Sequence, residues 1–237
     1  MKRFFLKWVF MRHRNLLILL TSLSFALHAQ ESEDTSLERY LEDQFYIGVT
    51  YNILLNLPDE ASQSNLSYGL QAGFIRDIPL NPQGTIALGV GLGYGVNSYY
   101  SNLRAIKEDD GFRYEYLDDE DYRRNKIETH LIEVPVEFRW RTSTRESYKF
   151  WRVYGGFKFG YVVGSRSKLV TNSFKDSFYN TDTENFRYGL MLNLGYNTFN
   201  IHFYYGLNSL FEDGVVDPNG QDLDMAPLHL GLIFYIL

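Results

Sequence analysis

Between residues 86 and 97 large apolar and small side chains alternate without a break. Ile86, Leu88, Val90, Leu92, Tyr94 and Val96 fall on one face; Ala87, Gly89, Gly91, Gly93, Gly95 and Asn97 fall on the other. A helix would mix these sets, whereas a strand, whose successive side chains point to opposite sides, keeps them apart. The same separation recurs at 45–53, 68–74, 130–140, 151–161, 186–194, 199–207 and 228–236. The pattern therefore predicts eight strands.

One face of these strands is almost purely large and apolar, while the other mixes glycine, asparagine and charge. In a soluble sheet the polar face meets water. Here it is so rich in glycine that it suits a crowded barrel interior instead. The connections alternate too: short near 78–84, 142–148 and 197–198, long near 55–65, 98–126, 165–184 and 209–225. Short periplasmic turns and long external loops are the asymmetry of an outer-membrane barrel, and an even strand count returns both termini to the periplasm. Trp140 and Trp151 flank one short turn on the apolar face, where an aromatic girdle meets the bilayer surface. The end of the chain agrees. His229, Gly231, Phe234 and Ile236 follow the polar-x-Gly-x-x-aromatic-x-hydrophobic pattern of a barrel-assembly signal, with Leu237 in place of the more usual phenylalanine. The fold expected is all-β: an eight-stranded antiparallel transmembrane β-barrel over 44–237.

Eight strands enclose a space that side chains fill, so the interior is expected to be plugged rather than open. Glu133, Glu137, Arg139, Arg152, Lys158 and Arg187 carry charge on the inward parity. In so narrow a lumen they must pair. Setting Trp140 opposite Trp151 would place Glu133 opposite Lys158. Pro135 cannot donate a ladder hydrogen bond, so a bulge or weakened pairing is expected there.

The N-terminus reads differently. Lys2, Arg3, Lys7, Arg12 and Arg14 surround or precede an apolar run from Leu16 to Leu27, and no acid appears before Glu31. A basic start, a short apolar core and small residues at Ala26 or Ala29 form a secretory signal peptide, and the run is shorter than the ~20 residues a spanning helix needs. Residues 1–29 are taken as the leader and 30–43 as a short acidic periplasmic lead-in. Removing the leader takes five positive charges and no negative ones, moving the formal net charge from −6 to −11. So acidic a chain is unsuited to nucleic acid. The sequence has no cysteine, hence neither disulfide nor thiolate metal site.

Candidate chemistry is sparse. His130, on the lipid-facing parity, has Ser98 and Ser165 at similar height, a serine–histidine pair of the kind that attacks lipid esters. No acid is obviously placed to orient the imidazole. The acidic stretch 108–121 could bridge divalent cations to lipid phosphates but reads more simply as a solvated loop. Residues 217–224 lack the spacing of a calcium loop. No catalytic residue, metal site, cofactor or small-molecule substrate is expected.

A basic cluster marks one periplasmic hairpin: Arg139, Arg141, Arg145, Lys149 and Arg152, with Glu146 the sole acid between Arg139 and Arg152. Arg141, Arg145 and Lys149 are candidates for a docking contact, since rim charges steer association. Residues 132–144 (IEVPVEFRWRTST) and 148–152 (YKFWR) in this hairpin resemble the core of the PorT family. Residues 46–52 (YIGVTYN), 73–79 (GFIRDIP) and 202–206 (HFYYG) support the likeness. The resemblance implies a non-enzymatic outer-membrane barrel of the type IX secretion system. That system exports proteins with a C-terminal sorting domain and in some bacteria supports gliding motility. The resemblance further implies partners among the other secretion subunits and contact with outer-membrane lipid. A stand-alone barrel acting as adhesin or envelope stabiliser is the alternative, and a lipid esterase a second.

Overall fold

The computed structural model describes residues 43–63, 65–118, 120–142, 151–196 and 199–236. The expected leader, nearly all of the lead-in and Leu237 lie outside the described residues. Among the described residues the chain forms eleven strands: β1 (Gln44–Leu55), β2 (Tyr68–Pro79), β3 (Ile86–Tyr100), β4 (Leu103–Glu108), β5 (Gly111–Tyr116), β6 (Arg124–Arg141), β7 (Trp151–Val170), β8 (Lys175–Tyr179), β9 (Phe186–Tyr196), β10 (Phe199–Gly206) and β11 (Ala226–Ile236).

Eight of these close on themselves. β1 pairs with β2, β2 with β3, β3 with β6, β6 with β7, β7 with β9, β9 with β10, β10 with β11, and β11 returns to β1, every pair antiparallel. This is the predicted eight-stranded barrel, and each predicted segment lies within or almost wholly within one strand. Closure leaves no unpaired edge inside the bilayer, where a free backbone N–H or C=O costs several kcal/mol. Burial alternates as the sequence demands. In β9, Phe186, Tyr188, Leu190, Leu192, Leu194 and Tyr196 face outward, and Arg187, Gly189, Met191, Asn193 and Gly195 face inward. The inward glycines make room. A Cβ on Gly93 would collide with the Tyr46 hydroxyl across the lumen.

Two local expectations need correction. The β6–β7 hairpin pairs Trp140 with Val153, not Trp151, so Glu133 stands opposite Gly160 and Pro135 opposite Lys158. Trp151 instead lies across from Tyr196, with ring centroids 5.1 Å apart. The bulge falls not at Pro135 but between His130 and Leu131, which pair with Gly164 and Val162 and leave Val163 unmatched. At Pro135 the register toward β3 holds. The pairing nevertheless skips from Val90↔Val136 to Gly93↔Glu133, so the weakened pairing expected at Pro135 is present although the bulge is not.

Beyond the bilayer the long connections are folded rather than loose. β6 and β7 run on past their neighbours, β8 folds back onto β7, and β4 with β5 makes a separate hairpin. Leu54, Tyr99, Leu103, Tyr114, Ile127, Leu210, Phe211, Leu223 and Met225 meet in an apolar cap over the external mouth.

A sealed barrel interior as candidate functional site

The barrel interior is built from the inward parity of its strands, and polar and charged side chains fill it together with an apolar cluster of Tyr46, Ile75, Tyr154, Ile233 and Tyr235. At the end carrying the short turns, Asp77 of β2 is fully buried between two arginines of β6. Arg141 Nη1 lies 2.5 Å from Asp77 Oδ2, and Arg139 donates to Asp77 Oδ1. Arg139 Nε also donates to Glu137 Oε2 at 2.8 Å, and its guanidinium lies over the rings of Tyr154 and Tyr235. Arg141 Nε donates to the Gly84 carbonyl in the β2–β3 turn at 2.7 Å, which ties that turn to the plug. Glu137 Oε1 accepts from Asn193 Nδ2 at 3.1 Å, and Asn193 Oδ1 meets His202 Nδ1 at 2.6 Å.

Midway along the axis Lys158 Nζ lies 3.3 Å from Glu133 Oε1 and donates to Gln71 Oε1 at 2.9 Å. The pair forms although the two residues are not directly opposite. They are diagonal neighbours on one face of β6 and β7, within reach of long side chains. Nearer the external mouth, His229 Nε2 is 2.9 Å from the Tyr99 hydroxyl. Arg187 donates to the carbonyls of Ser209 and Leu210 and so clamps the cap to the wall.

The six charged residues read as inward, Glu133, Glu137, Arg139, Arg152, Lys158 and Arg187, are all buried. Asp77 lies beyond Phe74, where the apolar alternation of β2 ends. The inward parity still carries a signal for it: two acids, Glu133 and Glu137, against five bases including Arg141 demand another carboxylate. Trp140 and Trp151 project outward, as expected of girdle residues. Arg141 is corrected. It is 1 % exposed and bound to Asp77 and Gly84, so it belongs to the plug and offers no docking surface. Arg145 and Lys149 lie outside the described residues.

The two serines named with His130 are not brought to it. Val163 shifts the parity of β7, so Ser165 turns inward opposite Thr129, away from His130. Ser98 Oγ donates to Glu128 Oε2 at 3.2 Å rather than to the imidazole, whose Nδ1 meets the Tyr94 hydroxyl at 2.7 Å. An acid does lie near the ring, Glu128 at 3.7 Å from Nε2, but neither Ser98 nor Ser165 bonds to the imidazole.

Outside, the loops border a cavity of about 620 Å³ lined by Glu108, Asp110, Asp182, Glu212, Asp213 and neighbours. Burial pushes the Asp182 carboxyl up, against the hydrogen bond from the Tyr114 hydroxyl. Asp217, read as lacking calcium spacing, organises a turn instead. Its Oδ1 accepts from the N–H groups of Asn219 and Gln221, and its Oδ2 from the Tyr116 hydroxyl.

The family described as outer membrane protein beta-barrel domain matches residues 28–212. Among solved structures, the chain is similar to Ail, the attachment invasion locus protein of Yersinia pestis. That match has 12% identity, a TM-score of 0.35, and covers 82% of this chain and 97% of the other. A second, described as asymmetric conductivity of engineered proteins, gives 8% identity and a TM-score of 0.20 over 83% of this chain and all of the other. No curated protein matches the sequence.

Proposed function

This chain belongs to the outer membrane protein beta-barrel domain family, and from that premise we infer that it serves in the outer membrane as a non-enzymatic, non-conducting component of the type IX secretion system. The observation that carries the negative half is the interior. Asp77, Arg139 and Arg141 close one end, Lys158 and Glu133 the middle, and Arg187 anchors an apolar cap at the other. A lumen so filled passes no folded cargo, so the protein works through its outer surfaces on other subunits. The positive half rests on the resemblance of 132–152 to the PorT family. Its RWR segment holds Arg139 and Arg141, and the supporting segment 73–79 holds Asp77, so three residues of the likeness form one buried ion cluster. With Arg141 inside the plug, partner contact falls to the periplasmic rim and the external loops.

A second reading, a stand-alone adhesin or envelope stabiliser, is favoured by the folded external loops and their acidic cavity. Deleting the gene and comparing periplasm with culture supernatant by mass spectrometry separates the two. Cargo with C-terminal sorting domains should accumulate in the periplasm and vanish outside. Normal export would leave the adhesin reading in place, and surface binding should then depend on residues 98–126.

A further inference from the structure

The extensions of β6 and β7 above the bilayer, with β8 folded against them, carry charge on their outward side. On β6 the apolar outward run from Trp140 to Ile132 is about as long as the ~9–11 residues a tilted spanning strand requires. His130 and Tyr94 sit at its upper border. The next outward positions are Glu128, Lys126 and Arg124; across the ladder lie Arg166 and Lys168 on β7 and Lys175 on β8. Glu128 is the single acid on the outward positions of these three strands. At comparable height elsewhere on the barrel stand Ile53 and Leu55 on β1 and Leu228 on β11.

The arrangement within this sector is costly unless an anion joins it. Lys126 and Lys168 are direct cross-strand partners, and Arg166 is the partner of Glu128. Like charges placed opposite one another destabilise a sheet. One carboxylate serves both lysines: Lys126 Nζ binds Glu128 Oε2 at 2.5 Å and Lys168 Nζ binds Oε1 at 2.5 Å. Burial pushes the Glu128 carboxyl up, but the hydrogen bonds it accepts from the two ammonium groups, and their charge, outweigh this and hold it down at about 2. The cations are also pinned by aromatic rings. Lys126 Nζ lies 5.4 Å from the Tyr100 ring centre and 5.7 Å from that of Tyr68, and the Arg166 guanidinium lies 4.5 Å from that of Tyr179. Lys126 Nζ also donates to Ser98 Oγ at 3.1 Å and Arg166 Nη2 to the Tyr179 hydroxyl at 3.1 Å. The result is a preorganised positive site at the height where outer-leaflet headgroups begin, with Arg166 and Lys168 its more open cations.

We propose that the outward face of β6, β7 and β8 binds the phosphate of an outer-leaflet glycolipid, with Lys126, Lys168 and Arg166 as its donors. Glu128 sets the spacing of the two lysines, and Arg124 and Lys175 extend the field outward. The bound lipid fixes the orientation of this sector of the barrel in the membrane and neutralises the excess charge.

The test uses the whole folded protein in detergent, incubated with bis-phosphorylated lipid A or with the same lipid stripped of its phosphates, and read by native mass spectrometry. The wild type should retain one phosphorylated lipid and not the stripped one. K126Q/K168Q, confirmed as folded by its heat-dependent gel shift, should lose retention about thirtyfold, at roughly fivefold for each cation near an anionic lipid surface. Arg76→Gln, at the opposite rim, should change nothing. Equal retention of both lipids by the wild type would overturn the proposal without any variant. Full retention by the folded double variant would overturn it as well. Displacement by equimolar inorganic phosphate would make the ligand a free anion and overturn the lipid assignment.

Discussion

The two ends of this barrel are closed by different physics. At the short-turn end the seal is ionic: Asp77 held by Arg139 and Arg141, with Glu137 behind them, all essentially without water contact. At the external end the seal is apolar: Leu103, Tyr114, Phe211 and Met225 packed in a cap that the loops supply. The ionic seal is made by wall residues whose inward direction is fixed by strand parity. The apolar one joins three residues at the upper ends of wall strands, Leu54, Tyr99 and Ile127, to loop residues that the wall does not position. The first is therefore part of the barrel's own stability, while the second is a separate layer resting on it through Arg187. A buried ion cluster is costly to break on one side, because the partner charges remain buried. An apolar cap loses only what its own contacts contribute.

The comparison is broken most directly at Asp77. Asp77→Asn keeps the shape and removes the carboxylate that Arg139 and Arg141 share. Stability should fall by about 3–5 kcal/mol, the cost of an uncompensated buried ion. The thermal midpoint of the heat-dependent gel shift reads it. An unchanged midpoint would mean that the cluster is not what holds the plug.

Phe211→Ala is the matched experiment at the other end. Phe211 is 1 % exposed and meets the Tyr114 ring edge-on at 5.4 Å. Truncation should cost the cap about 3 kcal/mol. The loss should stay local: faster proteolysis within 98–126 and 209–225, with the barrel's own midpoint unmoved. A fall in the midpoint equal to that of Asp77→Asn would erase the distinction between the two seals.

What the sequence could disclose follows the same division. Parity is local, so the eight strands, the inward charges and the outward tryptophans were all readable from alternation. Alternation also set Arg141 inward, against its reading as a docking residue, and the structure sides with parity. Asp77 lay past the point where apolar side chains stop marking the outward face, because Arg76 occupies that face near the rim. The bulge at Val163 has no marker beyond the adjacent Gly164, yet it reverses Ser165 and dissolves the serine–histidine pair. The β6–β7 register differs by two residues from the one that pairs the tryptophans, because Trp151 packs on Tyr196 instead. The cap is legible only in part: Leu54, Tyr99 and Ile127 follow the inward parity of their strands, but Phe211 and Met225 are far from them in sequence, so only the folded chain shows that they meet.

Glu128 stands between these two regimes, in the wall but above the bilayer, and predicts the smallest effect. Its carboxyl is held at about 2, below the usual carboxylate range, by Lys126 and Lys168. A group depressed in the folded state stabilises above its unfolded pKa and loses that contribution as pH falls through the folded value. The window is therefore between about 4.5 and about 2. Wild type and Glu128→Gln should differ slightly in thermal midpoint at pH 6 and converge as the pH is lowered toward 2. The difference should shrink in high salt as well, because the site is partly solvated and screening reaches it. The Asp77 cluster, with no solvent access, should show no such salt dependence. If the Glu128 difference persists unchanged at pH 2, the carboxylate is not the charge that spaces the two lysines, and the external sector would have to be held by the tyrosine rings alone.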